Sequence, residues 1–221
     1  MSDFLPWFVV FDLDDTLIAE SDYQISGINA VEQHLEELLQ KQVKGFLLAA
    51  HSRGVSDLWG FACDLLKLPP AVAQSLLWVY RLHTPKISLQ PGVFSLLNSL
   101  SKKNIPFVIL SDGRSSTQRL KIQAVDLQHI PCYISEEWGS SKPDLLRFQV
   151  IEEHWPDRHY VYVGDNPAKD FFAPVQLGWL TLGAAWTPDP VHPQDPGQLH
   201  AGALQPHGWL QAPDDLLKWL R

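Results

Sequence analysis

Trp7 to Leu17 read WFVVFDLDDTL, and this stretch decides the fold of the chain. Its first five residues are apolar and rich in Val and Phe, which is typical of a strand buried on both faces in a parallel sheet. Carboxylates follow at once, at the carboxyl end of that strand, which is the edge where open α/β sheets bind ligands. We therefore expect Asp12 and Asp14 to face one crevice, close enough to share a cation. A solvated acidic turn is the alternative.

The composition indicates a globular protein with one sizeable core. The 221 residues are 45% hydrophobic, and the formal net charge of -8 argues against nucleic-acid and membrane-surface partners, which bind clustered Lys and Arg. Residues 1–4 lack a basic region and Pro6 interrupts the apolar run, so we expect no signal peptide, no membrane span and a cytoplasmic location. Cys63 and Cys132 have apolar neighbours and are predicted to be two buried thiols.

After Leu17 the apolar pattern changes to the period of a helix. Apolar residues recur at intervals of three and four, opposite Glu and Gln, at Ile28, Val31, Leu35, Leu38 and Leu39. Two further helices are predicted over residues 57–68 and 71–82, with Pro69 and Pro70 between them. We interpret residues 19–88 as an all-helical insertion between core segments 1–18 and 89–221. A helical subdomain with no role in binding is the alternative.

From residue 90 onwards, helices and strands alternate. Buried strands are predicted at 106–110, 130–134, 159–163 and 179–182, with helices between them, one of which opens at Lys142 and Pro143. This alternation predicts an α/β fold with a doubly wound parallel sheet.

The end of the chain shows a different pattern. Residues 184–208 contain Pro188, Pro190, Pro193, Pro196 and Pro206 and are predicted to be an extended loop. The irregular spacing of His192, His200 and His207 within it does not indicate a metal site. A short helix from Asp214 to Leu220 is expected to dock through Leu217 and Trp219.

Three predicted strands end in polar clusters, and a lysine lies between the last two: Asp12 with Asp14, Ser111, Lys142, and Asp165 with Asp170. This set and its order resemble the haloacid dehalogenase-like (HAD) hydrolase superfamily. Its four motifs are a DxDx[TV] loop, a strand ending in Ser or Thr, a Lys, and an acidic GDxxxD-type loop. The resemblance covers nearly the whole chain. It implies a Rossmann-like core in which the helical insertion is a C1-type cap.

The same residues indicate a chemistry on physical grounds. Carboxylates that face one crevice repel each other unless a cation lies among them, and oxygen ligands suit Mg²⁺, which also prefers sites shared with phosphate. The substrate is then expected to be a small-molecule phosphate ester. Asp12 is the candidate nucleophile, giving an aspartyl-phosphate that water hydrolyses. Asp14 is the candidate acid and base, and Ser111, Lys142 and backbone N–H groups near Gly113 would meet the phosphoryl charge.

The resemblance also implies particular metal ligands. It assigns Mg²⁺ to the Asp12 carboxylate, the Asp14 main-chain carbonyl and Asp165, with Asp170 as a further ligand or an orienter of Lys142. One position departs from the family, because many relatives have Asn where Asp112 precedes Gly113 and Arg114. Gly113 and Arg114 are candidate substrate-binding residues. Asp112 either faces the leaving group or pairs with Arg114.

The predicted function is a Mg²⁺-dependent phosphatase acting on a nucleoside monophosphate or sugar phosphate. Haloacid dehalogenases lack the second acidic residue, so Asp14 favours phosphate-ester chemistry. A phosphomutase and a non-catalytic HAD-like binding protein are the alternatives. We expect a monomer or homodimer. Specificity is expected from charged residues of the cap, with Lys41, Lys44, His51, Arg53, Arg81 and His83 as candidates.

Overall fold

A computed structural model describes residues 5–192 and 203–221 of the chain. The described residues form two compact units. The first, called the α/β unit, comprises the chain up to Glu20 and from Ser88 onwards, and the second, called the helical unit, is Ser21–Ile87. Within the described ranges, no helix has the length and apolar character needed to cross a membrane. The expectations for residues 1–4, Pro193, Pro196 and His200 lie outside the described residues.

Four helices build the helical unit around an apolar core of their own. They are α1 (Glu20–Leu39), α2 (Phe46–Ser52), α3 (Leu58–Leu66) and α4 (Val72–Leu82). The stripe predicted on α1 is buried at Ile28, Val31 and Leu35, whereas Leu38 is 62% exposed. His83 is buried and bonded to Ser26 and to the carbonyl of Tyr80, so within this unit it has a structural role. Helix α2 has no counterpart in the predicted elements.

The α/β unit contains six described strands in one parallel sheet, in the order β3-β2-β1-β4-β5-β6. The strands are β1 (Trp7–Phe11), β2 (Phe107–Ser111), β3 (Cys132–Ile134), β4 (His159–Gly164), β5 (Leu180–Ala184) and β6 (Gly208–Leu210). Six described helices accompany them: α5 (Val93–Lys102), α6 (Ser115–Ala124), α7 (Ser135–Trp138), α8 (Leu146–His154), α9 (Phe172–Gln176) and α10 (Leu216–Trp219). The predicted doubly wound parallel fold is confirmed.

Strand β1 lies at the centre of the sheet, as its composition predicted. Phe8, Val9, Val10 and Phe11 are all fully buried, with β2 on one side and β4 on the other. Apolar side chains from both neighbouring strands and from α8 pack around it, among them Val108, Leu110, Tyr162 and Phe148. The central position matters for function because the end of β1 is then flanked by the ends of two other strands.

Three local predictions differ from the structure. Residues 208–210 form the edge strand β6, which was not predicted and which starts at the last residue of the predicted loop 184–208. Its Trp209 packs over Gly183 of β5, where a Cβ atom has no room. At the chain end Leu216 is the buried residue, while Trp219 is 41% exposed and covers Gly208 with its ring. Cys63 is buried but Cys132 is only partly buried, and both are free thiols.

The predicted helix start at Lys142 is wrong. Residues 141–144 form a turn closed by a bond from the Asp144 N–H to the Ser141 carbonyl, and α8 begins at Leu146. The Asp144 carboxylate accepts a hydrogen bond from the Leu146 N–H, at 2.8 Å. Lys142 therefore lies in a loop, where its side chain is not constrained by helical geometry.

Candidate active site

Three buried carboxylates meet at the carboxyl edge of the sheet. The register of β1 and β4 pairs Phe11 with Val163, and the Asp12 N–H donates to the Val163 carbonyl at 2.8 Å, so Asp12 and Asp165 leave neighbouring strands side by side. One carboxylate oxygen from each of Asp12, Asp165 and Asp170 lies within 4.8 Å of the others, and all three residues are buried. We call these three residues the carboxylate cluster.

Lys142 reaches into this cluster from its loop. Its ammonium nitrogen lies 2.9 Å from Asp12 Oδ1 and 2.7 Å from Asp170 Oδ1, and its side chain is fully buried. It also donates to the hydroxyl of Tyr162, at 3.0 Å. The geometry thus joins the first, third and fourth motifs of the sequence in one set of contacts.

The electrostatics of the cluster follow from burial and from the excess of negative groups. Burial raises the pKa of Asp12 to about 7, with Asp170 adding to the rise and Lys142 opposing it. Burial, then Asp170 and Asp12, raises the pKa of Asp165 well above its usual range. Burial lowers the pKa of Lys142, but Asp12 and Asp170 outweigh this and raise it well above its ordinary value. One buried ammonium faces three carboxyl groups.

The donor set of the cluster fits a hard divalent cation. Asp165 Oδ2 is buried and has no hydrogen-bond partner among the described residues. By contrast, Asp170 Oδ2 accepts from the Asn166 N–H at 2.8 Å. A buried oxygen without a donor is costly, and carboxylate oxygens are the ligands that Mg²⁺ uses. Asp12, Asp165 and Asp170 are therefore the residues that could hold such an ion.

Asp14 and Ser111 lie together beside the cluster, joined by residues of α6. The Asp14 carboxylate lies 2.7 Å from the Lys121 ammonium and accepts from Gln118 Nε2 at 2.9 Å. Gln118 Nε2 is also 2.6 Å from Ser111 Oγ. Sequence reasoning missed Gln118 and Lys121. One signal was available: α6 contains few apolar residues, so the face that it buries includes polar side chains besides Ile122.

Asp112 pairs with Arg147 rather than with Arg114. The guanidinium of Arg147 is fully buried, contacts the Asp112 carboxylate, and donates to the carbonyls of Ser111 and Tyr133 at 2.9 and 3.1 Å. The Asp112 carboxylate also accepts from the backbone N–H of Lys142, at 3.2 Å. Arg147 and Asp112 thereby fix the ends of β2 and β3 and the loop of Lys142. No local sequence pattern indicates this pairing of distant residues.

Gly113 and Arg114 lie outside the cavity described below. The Gly113 N–H donates to Ser135 Oγ at 2.9 Å, so this amide already has a partner. Arg114 is half exposed and forms an ion pair with Glu136, at 3.5 Å. In this arrangement neither residue contributes a free donor to the carboxylate cluster.

A cavity of about 140 Å³ opens onto these groups. Besides the predicted Asp12, Asp14, Ser111 and Asp165, it is lined by Asp112, for which the sequence left a position facing the leaving group open. Three further lining residues were not predicted as site residues: Glu20, Lys169 and His192. The segment that contains His192 is held in place because the Val191 N–H donates to Asp15 Oδ2, at 2.7 Å. Burial, then the nearby Lys169 cation, lowers the pKa of His192. Lys169 could have been noticed as a cation inside the acidic loop of residues 164–170.

Comparison with known proteins identifies a family. The family described as "Haloacid dehalogenase-like hydrolase" matches residues 9–183, which confirms the resemblance found in the sequence. No curated protein matches the chain.

Solved structures share the fold at low identity. A Bacillus subtilis protein reported as a HAD-hydrolase, YfnB, bound to magnesium, has a TM-score of 0.67 and 18% identity over 98% of this chain and 99% of its own. A 2-haloacid dehalogenase from Pseudomonas syringae has a TM-score of 0.61 and 19% identity over 98% of each chain. A HAD family hydrolase from Deinococcus radiodurans, with bound phosphate and sodium, has a TM-score of 0.64 and 19% identity over 96% of this chain and 94% of its own. At these identities the likeness shows the fold alone.

Proposed function

The chain belongs to the haloacid dehalogenase-like hydrolases, and we propose that within this family it is a Mg²⁺-dependent phosphatase that hydrolyses a small phosphorylated metabolite, such as a nucleoside monophosphate or sugar phosphate, through an aspartyl-phosphate. The observation that supports this most directly is the position of Asp12. Its carboxylate lies 2.9 Å from the Lys142 ammonium, lines the cavity, and belongs to a cluster in which one oxygen of Asp165 finds no donor within residues 5–192 and 203–221.

Asp12 is suited to act as the nucleophile because it is fixed at the end of the central strand. A carboxylate oxygen of Asp12 would attack phosphorus, forming a new P–O bond while the P–O bond to the leaving alcohol breaks. Lys142 and Ser111 would balance the charge on the phosphoryl oxygens. Mg²⁺ held by Asp12, Asp165 and Asp170 would supply further positive charge at the same place. The contact of Lys142 with Asp12 Oδ1 would leave the second oxygen of Asp12 available to the substrate.

Asp14 supports phosphate-ester hydrolysis over dehalogenation. It lines the same cavity as Asp12, which would allow it to protonate the leaving alcohol. In the second step it would take a proton from the water that attacks the aspartyl-phosphate, so that Asp12 and inorganic phosphate are released. A halide leaving group needs no such proton. The fold cannot make this distinction, since it is shared with a 2-haloacid dehalogenase, so the support for phosphate-ester hydrolysis comes from the side chain at position 14.

The experiment is a phosphate-release assay on the purified full chain. Substrates are p-nitrophenyl phosphate and a panel of nucleoside monophosphates and sugar phosphates, with Mg²⁺ or with EDTA. We expect turnover only with Mg²⁺, and a loss of roughly 10³-fold or more in Asp12→Asn. Asp126→Asn, which changes an exposed carboxylate in a turn, is the matched control and keeps full activity.

Three outcomes would contradict the proposal. Robust phosphate release by Asp12→Asn would exclude the aspartyl-phosphate route. Transfer of phosphate between two positions of one sugar, rather than release, would favour a mutase. A broad screen without any turnover would favour a binding protein. The role of residues 19–88 as a cap that selects the substrate stays a prediction.

A further inference from the structure

Helix α6 has two polar side chains on its buried face. Gln118 is 2% exposed and Lys121 is 4% exposed, and both lie one helical turn apart on the same side as the buried Ile122. A buried ammonium is tolerated only when it is paired, and positions like these are ordinarily apolar. Their contacts therefore require an explanation.

Both side chains contact Asp14, one at each carboxylate oxygen. The Lys121 ammonium lies 2.7 Å from Oδ1, and Gln118 Nε2 lies 2.9 Å from Oδ2. Gln118 Nε2 also lies 2.6 Å from Ser111 Oγ and 3.2 Å from the Asp112 carbonyl. The side chain of Asp14 is itself 20% exposed, so the carboxylate has its donors on the protein side and remains accessible from the cavity.

We propose that Gln118 and Lys121 are positioning residues that hold the Asp14 carboxylate in the orientation needed at the leaving group. The inference rests on the proposed phosphatase function. An aspartate side chain has two torsions, and a separate donor at each oxygen selects one rotamer and one plane. Proton transfer to a leaving oxygen depends on such precision, because a misplacement of about 1 Å costs on the order of 10²-fold in rate. Gln118 and Lys121 do not line the cavity, so they act through Asp14.

Leaving groups of different quality separate this role from a general loss of structure. An alkyl phosphate, such as a sugar phosphate, needs a proton on the departing oxygen, whereas p-nitrophenolate departs without one. The ratio kcat/KM reports the steps up to the first bond cleavage, so it includes the protonation of the leaving group and leaves out the later hydrolysis of the aspartyl-phosphate. In Lys121→Met we expect kcat/KM to fall roughly tenfold or more for the alkyl phosphate and by less than about threefold for p-nitrophenyl phosphate.

Two further variants and a double variant complete the test. Lys121→Arg keeps a cation and is expected to recover part of the alkyl phosphate activity. Gln123→Met changes an exposed residue of the same helix and leaves both substrates unaffected. Combined with Asp14→Asn, Lys121→Met is expected to cause no additional loss, since the residue it positions no longer acts.

Four results would overturn the inference. An equal loss on both substrates in Lys121→Met, or an additional loss in the Asp14→Asn background, would show a merely structural role. Unchanged kinetics in Lys121→Met would show that Asp14 does not need the contact. If the wild-type chain hydrolyses neither ester, the proposed function fails and this inference fails with it, whereas an active wild type with an unchanged substrate ratio refutes the inference alone.

Discussion

Buried carboxylates in the two units differ in their hydrogen-bond donors. In the helical unit Glu32 is 1% exposed, and its two oxygens accept from the N–H groups of Gly45, Leu47 and Leu48 at 2.8, 2.6 and 3.3 Å. It supplies the acceptors for the start of α2, where no neighbouring side chain forms a cap. In the α/β unit Asp165 is 2% exposed, and one of its oxygens has no donor in the described chain.

The difference shows which kind of burial indicates a ligand. A buried carboxylate that is fully hydrogen-bonded stabilises its own surroundings, as Glu32 does. A buried carboxylate that lacks donors and lies beside others costs stability and needs a partner from outside the chain. Burial alone would have grouped Glu32 with Asp165, and only the hydrogen-bond partners separate them.

The largest effect is expected from Glu32→Gln. The amide has one acceptor oxygen in place of two and turns an N–H group toward buried backbone donors, so the free energy of unfolding should fall by about 3 kcal/mol. Urea denaturation measures this change. Glu37→Gln, an exposed change on the same helix, should stay within about 0.5 kcal/mol of the wild type. Similar losses in both variants would show that the contacts of Glu32 contribute nothing beyond a surface charge.

The same change from carboxylate to amide in the carboxylate cluster should shift the free energy of unfolding in the opposite direction. Asp165→Asn removes a carboxylate whose pKa is raised by burial and by Asp170 and Asp12. In EDTA the free energy of unfolding should therefore rise, by about 1–2 kcal/mol. Addition of Mg²⁺ should raise the free energy of unfolding of the wild type but should leave that of the variant unchanged. A loss of stability in EDTA, as at Glu32, would remove the distinction between the two kinds of carboxylate.

A third prediction concerns pH. In the metal-free protein the pKa of Asp12 is about 7, against 3.8 for the unperturbed group. The folded state therefore binds this proton more tightly than the unfolded state, so the contribution of Asp12 to stability is present below pH 3.8 and is lost as the pH rises toward 7. Mg²⁺ competes with the same proton, so its stabilising effect should increase over this range.

Thermal unfolding with EDTA or with excess Mg²⁺ tests this at about pH 5 and about pH 8. The difference in Tm between the two conditions should be larger at the higher pH, by about 2–4 °C for a chain of this size. Repeating the measurement on Asp165→Asn provides the control, since that variant should show no Mg²⁺ effect at either pH. A Tm difference that does not depend on pH would contradict the link between the proton on Asp12 and the cation.

The site residues that lie at the end of a strand could be predicted from the sequence. Asp12, Ser111 and Asp165 each follow or end a run of apolar residues, so their place at the carboxyl edge of the sheet could be inferred from local pattern. Motif order identifies Lys142, yet its predicted position at a helix start is wrong, because residues 141–144 form a turn and the Asp144 carboxylate accepts from the N–H of Leu146, where α8 begins. Local hydrogen bonds of this kind compete with helix formation.

Contacts between distant residues could not be predicted. Arg147 meets Asp112 across 35 positions, and Lys121 meets Asp14 across 107. No periodic pattern encodes either pair, since each depends on how helices dock on the sheet. The edge strand β6 was missed for a related reason: its three residues lie in a proline-rich segment and pair only because Gly183 leaves room for Trp209.

The smallest effect is expected from replacing two tyrosines of strand β4, which differ in their hydrogen-bond partners. The Tyr162 hydroxyl accepts from Lys142 at 3.0 Å and lies 3.4 Å from Asp170 Oδ1, whereas the Tyr160 hydroxyl donates to the Trp155 carbonyl at 2.6 Å, away from the cluster. Tyr160→Phe removes one hydrogen bond, and Tyr162→Phe removes the bond from Lys142 together with the longer one to Asp170. Each change should lower the free energy of unfolding by about 1 kcal/mol. Only Tyr162→Phe should also lower kcat, by about fivefold, because Lys142 loses a contact that orients it.

Comparison of kcat in the two variants shows whether turnover depends on the hydrogen bond to Lys142 or only on the stability of the fold. Tyr160→Phe should keep the wild-type kcat while losing similar stability, since its partner, the Trp155 carbonyl, lies away from the carboxylate cluster. An equal decrease of kcat in both variants would mean that stability, rather than the position of Lys142, limits turnover. A decrease of kcat in Tyr162→Phe alone would show that the difference between the two buried carboxylates also holds for neutral groups: a buried hydroxyl matters for function when it contacts Lys142 and the carboxylate cluster.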